Sequence, residues 1–322
     1  MPSFPDGIIL ADKPRDVTSF AVVNRVRKTL MRTFEARRLR GAPRFRVGHA
    51  GTLDPLATGL LIVLVGRASR LSPFLLGLDK TYTATVRFGT ETDTLDAEGD
   101  VTVEAAPPAG PQEVAAVLPR FTGEITQVPP IYSALKRDGR SLHRLARSGQ
   151  EVAEPEPRTV IVTRLEQTGH RWLDDLHEVE LEIGCGSGTY VRSLARDIGR
   201  AVGSAAHLRA LRRTRIGPFD CADAVDVMVL GAQDLLAQLV PMEAALPHLP
   251  RLSLTMEQTL AVLDGAQPRP EWLADLQEAV AVGERFTLLD PGGRLVAVGE
   301  LDAVTGMPRL VAVVGRKDDL CA

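Results

Sequence analysis

One carboxylate stands where a loop could make it reactive. Asp54 lies in the stretch Gly48-His49-Ala50-Gly51-Thr52-Leu53-Asp54-Pro55-Leu56-Ala57-Thr58-Gly59, among small and apolar neighbours. Glycine opens backbone angles that other residues avoid, and Pro55 fixes one dihedral and removes an N–H donor. An acid on such a rigid, weakly polar loop is poorly solvated. Its pKa rises, or a nearby cation holds it ionised. Composition alone makes the dodecamer an ordinary Asp-Pro turn; other residues of the chain argue for more. Arg192 is expected in the first turn of a helix, just after the glycine-rich segment Gly184 to Thr189. A cation there opposes the helix dipole by roughly a few tenths of a kcal/mol, which points to a partner for it. A strand, a glycine-rich turn and a helix in succession can present N–H groups to an anion, but this one matches neither a phosphate-loop nor a dinucleotide motif. Tyr82 opens the apolar face of an alternating strand, where a tyrosine is ordinarily core.

The elements that must position these groups follow from periodicity. Gly7 to Leu10 reads as a short buried strand ending at Asp12-Lys13-Pro14. Thr18 or Ser19 then caps a helix whose Val22, Val23, Val26 and Leu30 recur at helical spacing. Leu60 to Val65 is a continuous apolar run, expected as a central strand. Thr81 to Phe88 alternates, with Tyr82, Ala84, Val86 and Phe88 on one face. Glu91 to Glu104 is acidic and is expected as a surface connection. Glu113 to Leu118 suggests a helical turn, Gln127 to Lys136 an extended segment, Ser141 to Arg147 a basic helix, and Val160 to Leu165 a strand. His177 to Ile183 alternates Val179, Leu181 and Ile183 with Glu178, Glu180 and Glu182, as a half-exposed strand does. Val191, Leu194, Ala195 and Ile198 form the stripe of the helix after it. Composition changes near Pro247 to Pro250. Beyond lie a helix from Thr255 to Leu263 and three strands, Arg285 to Leu289, Arg294 to Leu301 and Arg309 to Val314, suggesting a small barrel.

The 322-residue chain, 44% hydrophobic and 25% charged, suits a globular protein of two domains. No apolar run has membrane-spanning length, and the N-terminus lacks a secretory pattern. Cys185, Cys221 and Cys321 form no metal-ligand spacing and fit a reducing compartment, so a cytoplasmic protein is expected. The net charge of −3 hides a strong asymmetry. Residues 1–80 carry 14 Lys and Arg against 6 Asp and Glu, while residues 221–322 carry 7 against 15. Concentrated positive charge is what a phosphate backbone responds to. The run from Arg25 to Arg46, opposed only by Glu35, is a solvated loop or a phosphate-contacting arm that orders on RNA.

Taken together these pieces resemble the TruB family of tRNA pseudouridine-55 synthases. Ile9 to Pro14 with Thr18-Ser19 is similar to its N-terminal motif, and Gly48 to Gly59 closely resembles its catalytic motif. Lys80-Thr81-Tyr82, Gly89 to Asp96, Gln127 to Lys136, Gly188 to Arg192 and Leu211 to Thr214 follow in the family's order. His143 stands where the family often has Tyr, and Gly186-Ser187 replaces a polar pair. The resemblance implies an α+β pseudouridine synthase fold over residues 1–248, with a mixed, largely antiparallel central sheet flanked by helices and loops. It implies a small PUA-like β-barrel over residues 249–322, although the acidic tail is unusual for an RNA-binding module. The implied reaction isomerises uridine 55 in the T-arm of tRNA, on a flipped-out base, with no cofactor and no metal.

The resemblance makes Asp54 the nucleophile or base, held ionised and oriented by Arg192 in a buried pair. It implies that Tyr82 stacks on the base and assists proton removal at C5. Tyr190 and Leu211 would line the uracil pocket, and His49 would fill the gap left by the flipped nucleotide. Lys13, Lys136, Arg209 and Arg212 would support the site or meet phosphates, as would the rest of Arg209 to Arg215. The expected partner is the T-arm stem-loop; no membrane or protein partner is implied, and a monomer is expected. Two competing readings remain: a non-catalytic tRNA-binding or folding module on the same scaffold, and a nucleoside hydrolase. A glycosidase-type pair needs two carboxylates flanking the bond, and Asp54 is the single acid of its loop.

Overall fold

The computed structural model describes residues 5–34, 45–133, 136–137, 140–141, 154–173, 176–276 and 280–321. The basic run is therefore covered only at its two ends. His143 and most of the basic helix expected over 141–147 lie outside the described residues, as does the Lys136 side chain.

In chain order, β1 (Gly7–Lys13) leads to α1 (Ser19–Phe34), β2 (Val47–His49), β3 (Thr58–Val65), α2 (Ser72–Leu76) and β4 (Lys80–Phe88). A hairpin of β5 (Thr90–Thr92) and β6 (Val101–Glu104) precedes α3 (Pro111–Val117), β7 (Gly123–Gln127) and the small pair β8 (Lys136–Arg137) and β9 (Arg140–Ser141). The long strands β10 (Arg158–Leu173) and β11 (Leu176–Cys185) run into α4 (Val191–Ala201), β12 (Ala206–Ile216), β13 (Phe219–Asp220) and α5 (Ala232–Ala237). The last part holds β14 (Arg251–Ser253), α6 (Met256–Leu263), β15 (Arg285–Leu289), β16 (Leu295–Leu301) and β17 (Pro308–Val313).

The main sheet has the order β1-β3-β12-β4-β11-β10-β7, with β2 added to β3 and β13 to β12. Its pairings are antiparallel except β3 with β12, which run parallel. The continuous apolar run of β3 is buried along its length because both faces are covered. One face packs against α1 through Val22, Val26 and Leu30. Across β4, Tyr82, Ala84, Val86 and Phe88 share the face that meets α4. The amphipathic stripe of α4 is buried as expected, and Arg192, Ser193 and Arg196 are buried with it.

Two expectations need correction. The segment 91–104 is not a plain surface connection but the β5–β6 hairpin, with Glu91 and Asp96 buried. Glu178 is buried rather than exposed, because Arg87 (2.6 Å) and Arg171 (2.6 Å) both neutralise it. These arginines hold its carboxyl below the usual range against the opposing effect of burial. At the glycine-rich turn, Gly186 N–H bonds Ile161 O, and just after the turn Tyr190 N–H bonds Gln127 Oε1.

The last part is a four-stranded sheet, β14-β15-β16-β17, one strand more than the periodicity predicts. It packs around α6, which Thr255 and Gln258 begin with a reciprocal capping box. Leu289, Leu295, Val298 and Val314 join the same core cluster as Ile8, Leu60 and Phe74, so the two sheets share buried surface.

Candidate active site

The Asp54 loop is a turn suspended between β2 and β3 and held by three buried side chains. Ser19 Oγ donates to Leu53 O (2.9 Å) and accepts from Leu53 N–H (2.8 Å), occupying both polar groups of the residue before the acid. Lys13 is 0% exposed, and its ammonium donates to Pro14 O (2.9 Å), Val17 O (2.6 Å) and Pro55 O (3.2 Å). Burial draws its pKa down to about 8, with Asp54 opposing. Lys13 thus ties the loop to β1 and is closed to any phosphate. Arg213 donates from Nε to Leu60 O (2.7 Å) and from its terminal nitrogens to Gly51 O (3.2 Å) and Thr52 O (3.4 Å). At 1% exposure it cannot meet a phosphate, which corrects its expected role.

The glycines of the loop now have specific causes. Gly51 turns at φ +99 and Gly59 at φ +98, in the region that side chains disfavour. At Gly59 a Cβ would also collide with the Arg213 carbonyl oxygen, because β3 and β12 approach there.

Arg192 Nη2 lies 2.9 Å from Asp54 Oδ2, joining the two residues that the resemblance paired. Arg192 is 6% exposed and its guanidinium is over-determined: it donates to Thr94 O (2.9 Å) and Tyr132 O (2.9 Å) and faces Asp96 Oδ2 at 3.3 Å. Asp96 is held in turn by the Thr94 hydroxyl (2.7 Å) and the Glu98 N–H (3.1 Å). Leu95 takes φ +62 to make this turn, a conformation a non-glycine residue keeps only when its surroundings enforce it. The enforcement comes from β12: Leu208 N–H bonds Leu95 O, and Ala97 N–H bonds Leu208 O. Sequence reasoning missed Asp96 and Ser19 as site residues, although both lie in the quoted motifs. Their signal, a short polar residue in a motif, is indistinguishable from a turn or a cap.

The Asp54 side chain is 43% exposed. The expected dry pocket is therefore only half built, since Asp54 opens to solvent on the side away from Arg192. Tyr82 is half-buried, and burial pushes its phenol up while the adjacent Arg213 draws it back. Asp54 also acts on that phenol at long range. Gln127 fixes the Tyr190 backbone through its O (3.0 Å) and N–H (2.8 Å), two residues ahead of Arg192, and Arg158 stacks over the Tyr190 ring. His49 sits on β2 with Nδ1 buried and unpartnered among the described residues. Burial and Arg213 lower its pKa.

Leu211 lines a cavity of about 380 Å³ with Leu56, Thr58, Thr83, Thr85 and Arg212. Leu211 and Tyr82 both pack against the core cluster that holds Leu56 and Ala84. Arg212 pairs with Asp12 at 2.8 Å and stays partly exposed. Arg209 is half-buried on β12. Among the described residues no cluster of His, Cys, Asp or Glu could hold a metal ion, and no helix is long and apolar enough to cross a membrane.

A carboxylate fixed by a buried arginine at the mixed central sheet of an α+β chain defines a class, and comparison with known proteins gives the class its family. Residues 37–191 match the TruB family pseudouridylate synthase N-terminal domain, and residues 192–247 match the tRNA pseudouridylate synthase B C-terminal domain. The tRNA pseudouridine synthase B of Stutzerimonas stutzeri (strain A1501) is 40% identical over 303 residues, 92% of this chain and 91% of that one. The protein of that name from Aromatoleum aromaticum is 44% identical over 263 residues, 81% of this chain and 80% of that one. A chain in the crystal structure of a Cbf5-Nop10-Gar1 complex superposes with a TM-score of 0.69 at 26% identity, over 97% of this chain and 86% of that one. The chain belongs to the TruB family.

Proposed function

We propose that this protein is an isomerase that converts uridine to pseudouridine in tRNA, at position 55 of the T-arm, with Asp54 as the reacting carboxylate. The observation that carries this reading is the 2.9 Å Arg192–Asp54 pair, in which the arginine is fixed by two carbonyls and by Asp96. A pure binding module has no use for a carboxylate held this way.

The reaction breaks the C1′–N1 bond, turns the uracil and makes a C1′–C5 bond. C5 gives up a proton and N1 takes one, so composition and oxidation state are unchanged and no co-reactant is consumed. Asp54 supplies the nucleophile or base. Arg192 keeps that carboxylate ionised and aimed. The target base sits in a folded RNA loop and must be extruded to reach it. Its entry covers the exposed side of Asp54, so the substrate itself completes the dry environment. Tyr82 meets the flipped base and takes part in proton removal at C5. His49 props the vacated stack, and Tyr190 and Leu211 contact the uracil. Arg209 and Arg212, with Lys136 and the basic run around Arg37, meet the phosphates of the T-arm stem-loop. Residues 1–248 carry catalysis and residues 249–322 form a PUA-like unit. The protein acts as a monomer in the cytoplasm, without a cofactor.

The test is incubation of the protein with a T-arm transcript, followed by mapping of modified positions. Pseudouridine at position 55 supports the reading. Binding without modification returns the protein to a folding or binding module, and free uracil makes it a hydrolase.

A further inference from the structure

Arg213 is the largest fully buried side chain described, and it sits in an unusual setting. A buried guanidinium is costly unless a carboxylate or a full set of acceptors offsets its lost hydration. Among the described residues no carboxylate is within ion-pair distance of it, and its acceptors are the carbonyls of Gly51, Thr52 and Leu60. Two further buried cations, Lys13 and Lys80, have pKa values lowered chiefly by burial and further by its charge. A simpler core residue would fill this volume at less cost, so the charge and the fork of donors are the features to explain.

The register explains them. Arg213 on β12 lies directly opposite Tyr82 on β4, which puts both side chains on the same face of the sheet. From there the guanidinium reaches the carbonyls of Gly51 and Thr52, just ahead of Leu53 and Asp54, and its charge acts on the phenol across the register. Resting on the functional reading above, we propose that Arg213 is a positioning residue for the isomerisation: it locks the Asp54 loop and the Tyr82 phenol into one frame, and its charge supports the phenol oxygen as that oxygen receives the C5 proton. In that step the C5–H bond breaks, its electron pair restores the pyrimidine ring, the C5 proton goes to the Tyr82 oxygen as the phenol passes its own proton to solvent, and N1 takes a proton from solvent. No electrons are gained or lost overall. A lysine offers a point charge and cannot reach loop and phenol together, which is the reason for arginine here.

The test uses full-length protein and a tRNA transcript carrying 5-³H-uridine. Single-turnover tritium release, pseudouridine formation and tRNA binding are measured for wild type, Arg213→Gln, Arg213→Lys, Tyr82→Phe and the Arg213→Gln/Tyr82→Phe double variant. Arg213→Gln is expected to react about 100-fold more slowly while its tRNA affinity stays within about threefold. Its alkaline rate limb moves to higher pH by about one unit, because the cation beside the phenol is gone. Arg213→Lys recovers part of the rate, and the loss from Arg213→Gln shrinks when Tyr82 is already Phe.

A rate within threefold of wild type overturns the proposal. So does a slower rate with an unmoved pH limb and additive losses, or a variant that loses tRNA affinity instead of rate. Failure of both arginine variants to fold makes Arg213 a purely structural residue and overturns it too. Wild-type protein that forms no pseudouridine sinks the functional reading itself, an outcome separate from active wild type with indifferent Arg213 variants.

Discussion

Ser19 carries no charge, yet its hydroxyl satisfies both backbone polar groups of Leu53, the residue before Asp54, the carboxylate proposed to react. Ser19→Ala leaves a buried N–H and a buried carbonyl unpaired, which costs about 1–3 kcal/mol. Expected outcomes are a lower urea midpoint and pseudouridine formation slowed by about tenfold or more, since small displacements of reacting groups are expensive. Ser19→Ala with wild-type rate and midpoint would show the loop is held by other contacts. Lys13 makes a prediction in pH. Its folded pKa is about 8, below the ordinary 10.5, so between these values the unfolded chain binds more protons. The Lys13 contribution to stability therefore rises as pH climbs from 8 to 10.5, by ~3 kcal/mol at most. Urea unfolding of wild type and Lys13→Met at pH 7.5 and pH 10 checks this: the gap between the two chains moves in favour of wild type at the higher pH. The pairing of Asp54 with Arg192 was legible because the motifs carried both residues. Ser19 and Asp96 were not singled out, because their roles depend on which distant backbone or guanidinium they meet, and single-sequence spacing does not contain that.

Elements were more legible than their joins. The apolar run of β3, the alternation of β4 and the stripe of α4 each follow from side-chain period, and each is present. The β5–β6 hairpin was lost because its polar residues point inward to serve Arg192 and Arg200, reversing the usual reading of acidic segments. The parallel join of β3 to β12 was also illegible, since no local pattern marks it; only Gly59 hints at the close approach. Gly59→Ala tests that join. The substitution strains a φ of +98 and drives a methyl into the Arg213 backbone. A loss of ~2 kcal/mol or more is expected from denaturant unfolding, together with weaker hydrogen-exchange protection at Thr58 and Gly59. Unchanged stability would mean the two strands separate without cost.

At the scale of the molecule, the two sheets are joined by Arg67 as well as by their shared core. Its guanidinium pairs with Asp6 at 2.6 Å and Asp319 at 2.5 Å and donates to Val314 O at 3.0 Å. The pairs are partly exposed, so Arg67→Ala is expected to cost only about 1–2 kcal/mol. In a Trp172→Phe background, Trp272 reports on the C-terminal sheet, and its thermal transition should fall below that of far-ultraviolet dichroism once Arg67 is removed. Coincident transitions would show that the apolar contacts alone unite the sheets. The asymmetry of charge along the chain pointed to a nucleic-acid partner, whereas the net charge concealed it. What the molecule as a whole is built to do, on this account, is present one arginine-held carboxylate to an extruded uridine. The most direct measurement is tritium release from 5-³H-uridine tRNA by wild type and by Asp54→Asn, with tRNA affinity measured in parallel. The account predicts release by wild type, release slowed more than about a thousandfold in Asp54→Asn, and tRNA affinity unchanged within a few-fold. Release by Asp54→Asn at near wild-type rate would contradict it.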